Sequence, residues 1–137
     1  MKLVNKYEYP RSSREEIDGL RHYNIDGSTS KLPSVTTVIG QTKAKRDQEA
    51  LDAWVARVGE TAAKIIKIEA ATRGTAMHKY LEDFIKGEPS LDLTEQGREA
   101  KFMADIIRDR GLNRCSDVYG VEAVLYYPGL YAGSCDL

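Results

Sequence analysis

Cysteine is scarce in this 137-residue chain: Cys115 and Cys135 stand alone, with no CxxC pair and no Cys/His spacing. That argues against a disulfide framework and gives no sign of a zinc site, so reduced thiols are expected. An excess of charge is absent as well. The 20 Lys and Arg residues balance 21 Asp and Glu residues for a formal net charge of −1, so no polycationic surface marks a nucleic-acid binder globally. No apolar run approaches the roughly 20 residues a membrane-spanning helix needs. The start, MKLVNKYEYP, has neither the apolar stretch of a signal peptide nor the Arg/Ser-rich character of a transit peptide, which leaves the cytoplasm as the expected compartment. Internal repeats and low-complexity tracts are missing.

What is present reads as one small globular domain, with 42% hydrophobic and 30% charged residues. The Asp26-Gly27 turn inside HYNIDGSTSKLP predicts a β-hairpin. Ser34 is placed to cap a short helix over SVTTVIGQT, although the β-branched run also suits a strand. From Asp47 the spacing of Ala50, Leu51, Trp54, Val55 and Val58 is helical, with Gly59 as its stop. Residues 61–86 lack proline and predict one long helix, or two with a break near Thr72 to Gly74. Its second half carries Met77, Leu81, Phe84 and Ile85 as a core stripe. Thr94 should cap a helix to about Arg110, with Phe102, Met103, Ile106 and Ile107 inside. The terminal DVYGVEAVLYYPGLYAGSCDL predicts two strands broken at Pro128-Gly129. Gly74 and Gly133 read as close-approach or turn positions.

Charge is uneven along the chain. Between Ser34 and Ile68 six basic residues face four acids, a balance of +2, while between Glu88 and Asp109 six acids face three bases, a balance of −3.

Three residues invite chemistry. His78 lies on the long helix in GTAMHKYLEDF, Glu122 is expected inside the first strand of the terminal hairpin, and Asp136 near the end of the second. A helix packed on that hairpin could bring all three to one edge. Two carboxylates and one imidazole make an oxygen-rich site suited to Mg²⁺ or Mn²⁺, and such a metal activates water and offsets charge on a phosphate. Taken singly, each has an ordinary alternative: His78 as a hydrogen-bonded helix residue, Glu122 on a wet strand face, Asp136 as a turn cap. Glu82 could pair with His78 or with Lys79.

The order of the pieces narrows the choice. RGTAMHKYLEDF followed by VYGVEAVLYYPGLYAGSCDL resembles the RecB-like branch of the PD-(D/E)XK nuclease superfamily, in particular the mitochondrial genome maintenance exonuclease family and its phage relatives. The upstream LPSVTTVIGQT and the tryptophan-bearing helix are similar to the amino-terminal part of that family, so the resemblance runs from about Leu32 to Leu137. It implies an α/β fold, α+β by segregation, with a restriction-endonuclease-like core of helices on a mixed sheet, preceded by an N-terminal hairpin and a helical arch. The corresponding segments are 1–33, 34–68 and 69–137.

The same resemblance implies a metal-dependent DNA exonuclease acting on single-stranded ends, with His78, Glu122 and Asp136 as metal ligands and catalytic residues. Lys43, Lys45 and Arg46 in the arch, together with Arg73, Ser34 and Thr36, become candidate DNA contacts. The cytoplasm of a bacterial or phage-infected cell is the matching compartment. The family motif continues after the aspartate with an acid, one residue and a lysine, whereas this chain stops at Leu137. The expectation is therefore a front half of the core with little catalysis of its own. The competing expectation is a non-catalytic module that binds single-stranded DNA or a protein partner.

Overall fold

The computed structural model describes all 137 residues. After a two-residue strand β1 (Lys2–Leu3), the polypeptide forms β2 (Ser12–Ile17) and β3 (Leu20–Ile25), joined at Asp18-Gly19. Both turn residues have positive φ, 51° and 74°, the backbone a two-residue hairpin needs to match strand twist. Pairing runs in register from Ser12 opposite Ile25 to Ile17 opposite Leu20. This hairpin was not foreseen, because SSREEI carries almost no apolar alternation; backbone pairing rather than burial makes it a strand. The expected pairing across Asp26-Gly27 is present, but through a longer loop, with His22 opposite Pro33 and Tyr23 opposite Leu32 in β4 (Leu32–Pro33).

Ser34 then caps α1 (Val35–Gln41), its hydroxyl accepting the Thr37 N–H at 3.0 Å. The cap outweighs the strand preference of the β-branched run. α2 (Lys45–Val58) stops at Gly59, with φ 88°, and α3 (Glu60–Lys86) runs unbroken through Thr72 to Gly74. Gly87, with φ 72°, closes α3 by returning its N–H to the Asp83 and Phe84 carbonyls. α4 (Glu95–Arg110) begins as expected at Thr94, whose hydroxyl accepts the Gly97 N–H at 3.0 Å. A 3-10 turn (Leu112–Arg114) leads to β5 (Asp117–Val118), which pairs in parallel with β1. The chain finishes in the antiparallel hairpin β6 (Ala123–Tyr127) and β7 (Tyr131–Cys135). Its turn places Pro128 before Gly129 at φ 75°, and the Leu130 N–H closes on the Tyr127 carbonyl at 3.1 Å.

The architecture is mixed α/β, with strands at the two ends of the chain and helices between them. The strands form three small sheets, ordered β2-β3-β4, β6-β7 and β1-β5. A single parallel bridge from Ser34 to Ala132 links the first two. No helix is long and apolar enough to cross a membrane. Both cysteines are free and exposed.

Only 15 of 137 residues are buried, and most of the apolar ones gather in two clusters, of seven and four. The larger joins Tyr80, Leu81 and Ile85 of α3 to Ala100 and Ala104 of α4, with Leu112 and Val118 beneath. The smaller joins Tyr23, Ile25 and Leu32 to Ala132 of β7. The inner face of α4 is not the expected one. Phe102 is 67% exposed and Met103, Ile106 and Ile107 are each 38% exposed, while Gly97, Ala100 and Ala104 are buried. Small side chains let α3 and α4 approach closely, and the bulky stripe is left at the margin of the contact. Phe84 of α3 is likewise exposed, with Arg108 over its ring at 5.5 Å.

The glycines divide sharply. Gly133 is a close-approach position, since an added Cβ would lie 3.1 Å from Val35 Cγ2 of α1. Gly74 is not one, because nothing lies within 4 Å of its missing Cβ. At Gly97 the space is filled by the Asp92 carboxyl, whose carbon would sit 2.2 Å from an added Cβ. Gly→Ala inside a helix ordinarily stabilises by about 0.5–1 kcal/mol. Gly74→Ala should therefore raise the melting temperature, whereas Gly97→Ala should lower it by displacing the Asp92 side chain that accepts from Thr94. Thermal melting of the two variants side by side checks the opposite signs, and a shared sign would contradict this packing.

Candidate metal centre

α3 presents two faces. Tyr80, Leu81 and Ile85 turn into the helical core, while Thr75, His78, Lys79 and Glu82 recur at helical spacing along the opposite face. The latter line a cleft of about 550 Å³ whose other walls are the β2-β3 hairpin, the start of α1 and the end of β7. Ser34, Thr36, Gly133 and Ser134 form part of its floor.

At one end of the cleft His78, Glu122 and Asp136 converge, one ligand atom from each lying within 4.8 Å of the others. The His78 imidazole Nδ1 is 3.5 Å from Asp136 Oδ2. Glu122 lies not inside β6 but one residue before it, and Asp136 one residue after β7. They still face each other across the hairpin, with the Glu122 N–H donating to the Asp136 carbonyl at 3.2 Å. Pairing beyond the last ladder residues explains how side chains 14 positions apart meet. Glu122 has φ 52°, a left-handed conformation that costs a non-glycine residue about 1 kcal/mol. Its carboxylate is held by two further groups: the Ser134 hydroxyl donates to Oε2 at 2.8 Å, and Arg14 Nη2 lies 3.7 Å from the same oxygen.

The donor set fits a hard divalent cation. Ligand atoms about 2.1 Å from an octahedral ion lie about 3 Å apart when adjacent and about 4.2 Å when opposite. The His78 Nδ1–Asp136 Oδ2 separation of 3.5 Å is near the adjacent spacing, whereas the widest separation in the group, within 4.8 Å, has to close for all three to hold one ion. A manganese ion accepts the imidazole nitrogen as readily as the carboxylates, and magnesium is served by the oxygens. Behind the ligands, Met77, Leu81, Ile85, Ile107 and Val121 line a smaller apolar pocket that His78, Glu122 and Asp136 also border.

Glu82 does not support His78, because it pairs with Lys86 at 2.5 Å. Ser34 and Thr36 reach the cleft floor, but the buried Ser34 hydroxyl is occupied by its cap and by the Thr36 and Thr37 hydroxyls at 2.8 and 2.9 Å. Lys43, Lys45 and Arg46 lie outside the cleft walls, around the start of α2, and Lys45 pairs with Glu49 at 3.6 Å. Arg73 reaches across to α4, where Nη1 meets Glu99 at 3.1 Å. The basic residues that line the cleft are Arg14, Arg21 and Lys79. None was singled out from the sequence. The signal for the arginines was the first Asp-Gly turn: Arg14 opposite Tyr23 and Glu16 opposite Arg21 put both arginines on one face of β2-β3.

Lys79 is tethered to the buried Asp83 carboxylate at 2.6 Å. That hydrogen bond raises the Lys79 pKa above its ordinary 10.5, against the opposing effect of desolvation. It also lowers the Asp83 pKa from 3.8, again against desolvation and with help from Ser90. The unfolded carboxyl thus takes a proton at higher pH than the folded one. The pair's contribution is present above about pH 5 and fades as pH falls below the unfolded value. On the alkaline side it is present below 10.5 and is lost as pH rises through the raised value of Lys79. Asp83→Asn should flatten both limbs of the melting temperature against pH, and unchanged limbs would show that the pair contributes nothing.

Comparison with family models, with curated proteins and with solved structures finds no match to this chain.

Proposed function

We propose that this chain carries the metal site of a metal-dependent DNA nuclease with a restriction-endonuclease-like core, acting on single-stranded ends. One observation carries the reading: His78, Glu122 and Asp136, from a helix and from both sides of a hairpin, bring their ligand atoms within 4.8 Å of one another. The resemblance of RGTAMHKYLEDF and YAGSCDL to the RecB-like nucleases points the same way. So does the charge of the cleft. Its lining carries Arg14, Arg21 and Lys79 against Glu82, Glu122 and Asp136, so a divalent cation would leave it with a net positive charge suited to a phosphodiester.

In this mechanism His78, Glu122 and Asp136 would hold Mg²⁺ or Mn²⁺, which would supply a water of lowered pKa and a counter-charge at the phosphate. Ser134 fixes the Glu122 carboxylate by its hydrogen bond, and the rigid α3 fixes the imidazole. Arg14 and Arg21 attract the backbone phosphates without reading bases, so little sequence preference is expected.

The test is cleavage of end-labelled single-stranded DNA with Mg²⁺ or Mn²⁺, by this chain and by any longer natural form of it, alongside Glu122→Ala and Asp136→Ala. Metal-dependent cleavage lost in both variants supports the reading, and cleavage that survives either substitution overturns it. Salt-sensitive DNA binding without cleavage in any form would favour a non-catalytic binding module, a reading that rests on the same basic lining.

A further inference from the structure

The most informative contact in the cleft is one that competes with metal. Glu122 Oε2 accepts from Ser134 and stands 3.7 Å from the Arg14 guanidinium, and the Glu122 carboxylate belongs to the ligand cluster. A cation and a guanidinium held by one carboxylate repel each other. Arg14 is not otherwise committed: its guanidinium carbon lies 5.6 Å from the Tyr23 ring centroid, a contact that does not occupy its N–H groups. Tyr23 is buried, so this platform is rigid. Lys79, by contrast, is engaged by Asp83, and Arg21 has no contact with the cluster.

We propose that Arg14 is an anion-binding group coupled to the metal centre: it neutralises Glu122 while the metal is absent and is released to a substrate phosphate when a divalent cation takes that carboxylate. The inference rests on the metal reading above. It makes cation and phosphate binding mutually reinforcing, since each removes the partner that holds the other's ligand, and linkage requires the two effects to be equal. A phosphate suits the position, because the guanidinium fork matches two oxygens of a tetrahedral anion and the neighbouring cation would add positive charge.

The experiment is calorimetric titration of the wild-type protein, Arg14→Gln and Arg21→Gln with Mg²⁺ or Mn²⁺. Titration with inorganic phosphate and with a short single-stranded oligonucleotide follows, each with and without metal. Arg14→Gln should bind the metal about threefold to tenfold more tightly than wild type, because a positive charge beside the site is gone. It should also bind phosphate more weakly and lose most of the reinforcement between the two ligands. Arg21→Gln should weaken phosphate binding while moving metal affinity less. A response to the oligonucleotide alone assigns the group to phosphodiesters, and a response to both ligands assigns it to phosphate generally.

Unchanged or weaker metal binding in Arg14→Gln, with wild-type binding intact, overturns this inference and leaves the metal reading standing. No metal binding in wild type or in Arg14→Gln overturns both. A measurement on wild type alone guards against misfolding of the variant. The Arg14 Nε–Hε resonance should shift on adding metal and again on adding phosphate, and a resonance blind to metal rejects the coupling.

Discussion

Mg²⁺ or Mn²⁺ should raise the melting temperature of the wild-type protein, and Asp136→Ala should abolish that stabilisation. A ligand that binds only the folded state adds about 2.7 kcal/mol at a hundredfold excess over its Kd. For a domain of this length that is a rise of about 10 °C in Tm. Removing Asp136 leaves His78 and Glu122, two groups on different elements, and the shift should fall to near zero. Melting curves with and without metal check it, and a shift retained by Asp136→Ala would remove that residue from the site. Glu122 allows a sharper version. Because its φ is 52°, Glu122→Gly relieves the backbone at the cost of a ligand. The variant should melt about as high as wild type or higher without metal, yet show no metal response. If Glu122 were a surface residue of no consequence, the metal response would survive the change.

The second large effect is expected in the smaller cluster. Leu32 is 2% exposed and packs with Tyr23, Ile25 and Ala132, the contact that seats the β6-β7 hairpin against β3 and β4. Leu→Ala in such a position costs about 2–5 kcal/mol, a large part of the roughly 5–15 kcal/mol that holds a small domain together. Leu32→Ala should lower the denaturant midpoint strongly. It should also weaken metal binding at temperatures where the variant remains folded, because Glu122 and Asp136 flank the hairpin that this cluster positions. Ile85→Ala, in the α3-α4 cluster, should cost comparable stability with little change in metal affinity. Equal losses of affinity in the two variants would mean that the hairpin cluster does not set the site.

Taken alone, the sequence determined the elements whose signals are local. Ser34 and Thr94 announce helix starts because a hydroxyl there can accept an orphan N–H. Pro128-Gly129 announces a turn because proline presets one φ and glycine supplies the positive one. The candidate ligands His78, Glu122 and Asp136 were legible as chemically unusual residues in largely apolar surroundings, and the structure brings them together.

What the tertiary structure decided is which faces meet. The apolar stripe Phe102, Met103, Ile106 and Ile107 was a sound helical pattern, but α3 selected the neighbouring Ala100 and Ala104, because close approach favours small residues. The basic contacts followed the same logic. Lys43, Lys45 and Arg46 form an obvious run in the sequence and lie outside the cleft. Arg14 and Arg21 form no run at all, and a hairpin turn at Asp18-Gly19 sets them on one face, lining the same cleft as the candidate ligands. Period and caps are properties of a few neighbouring residues, whereas the choice of partner face depends on residues brought together only by folding, and that choice is what builds the site.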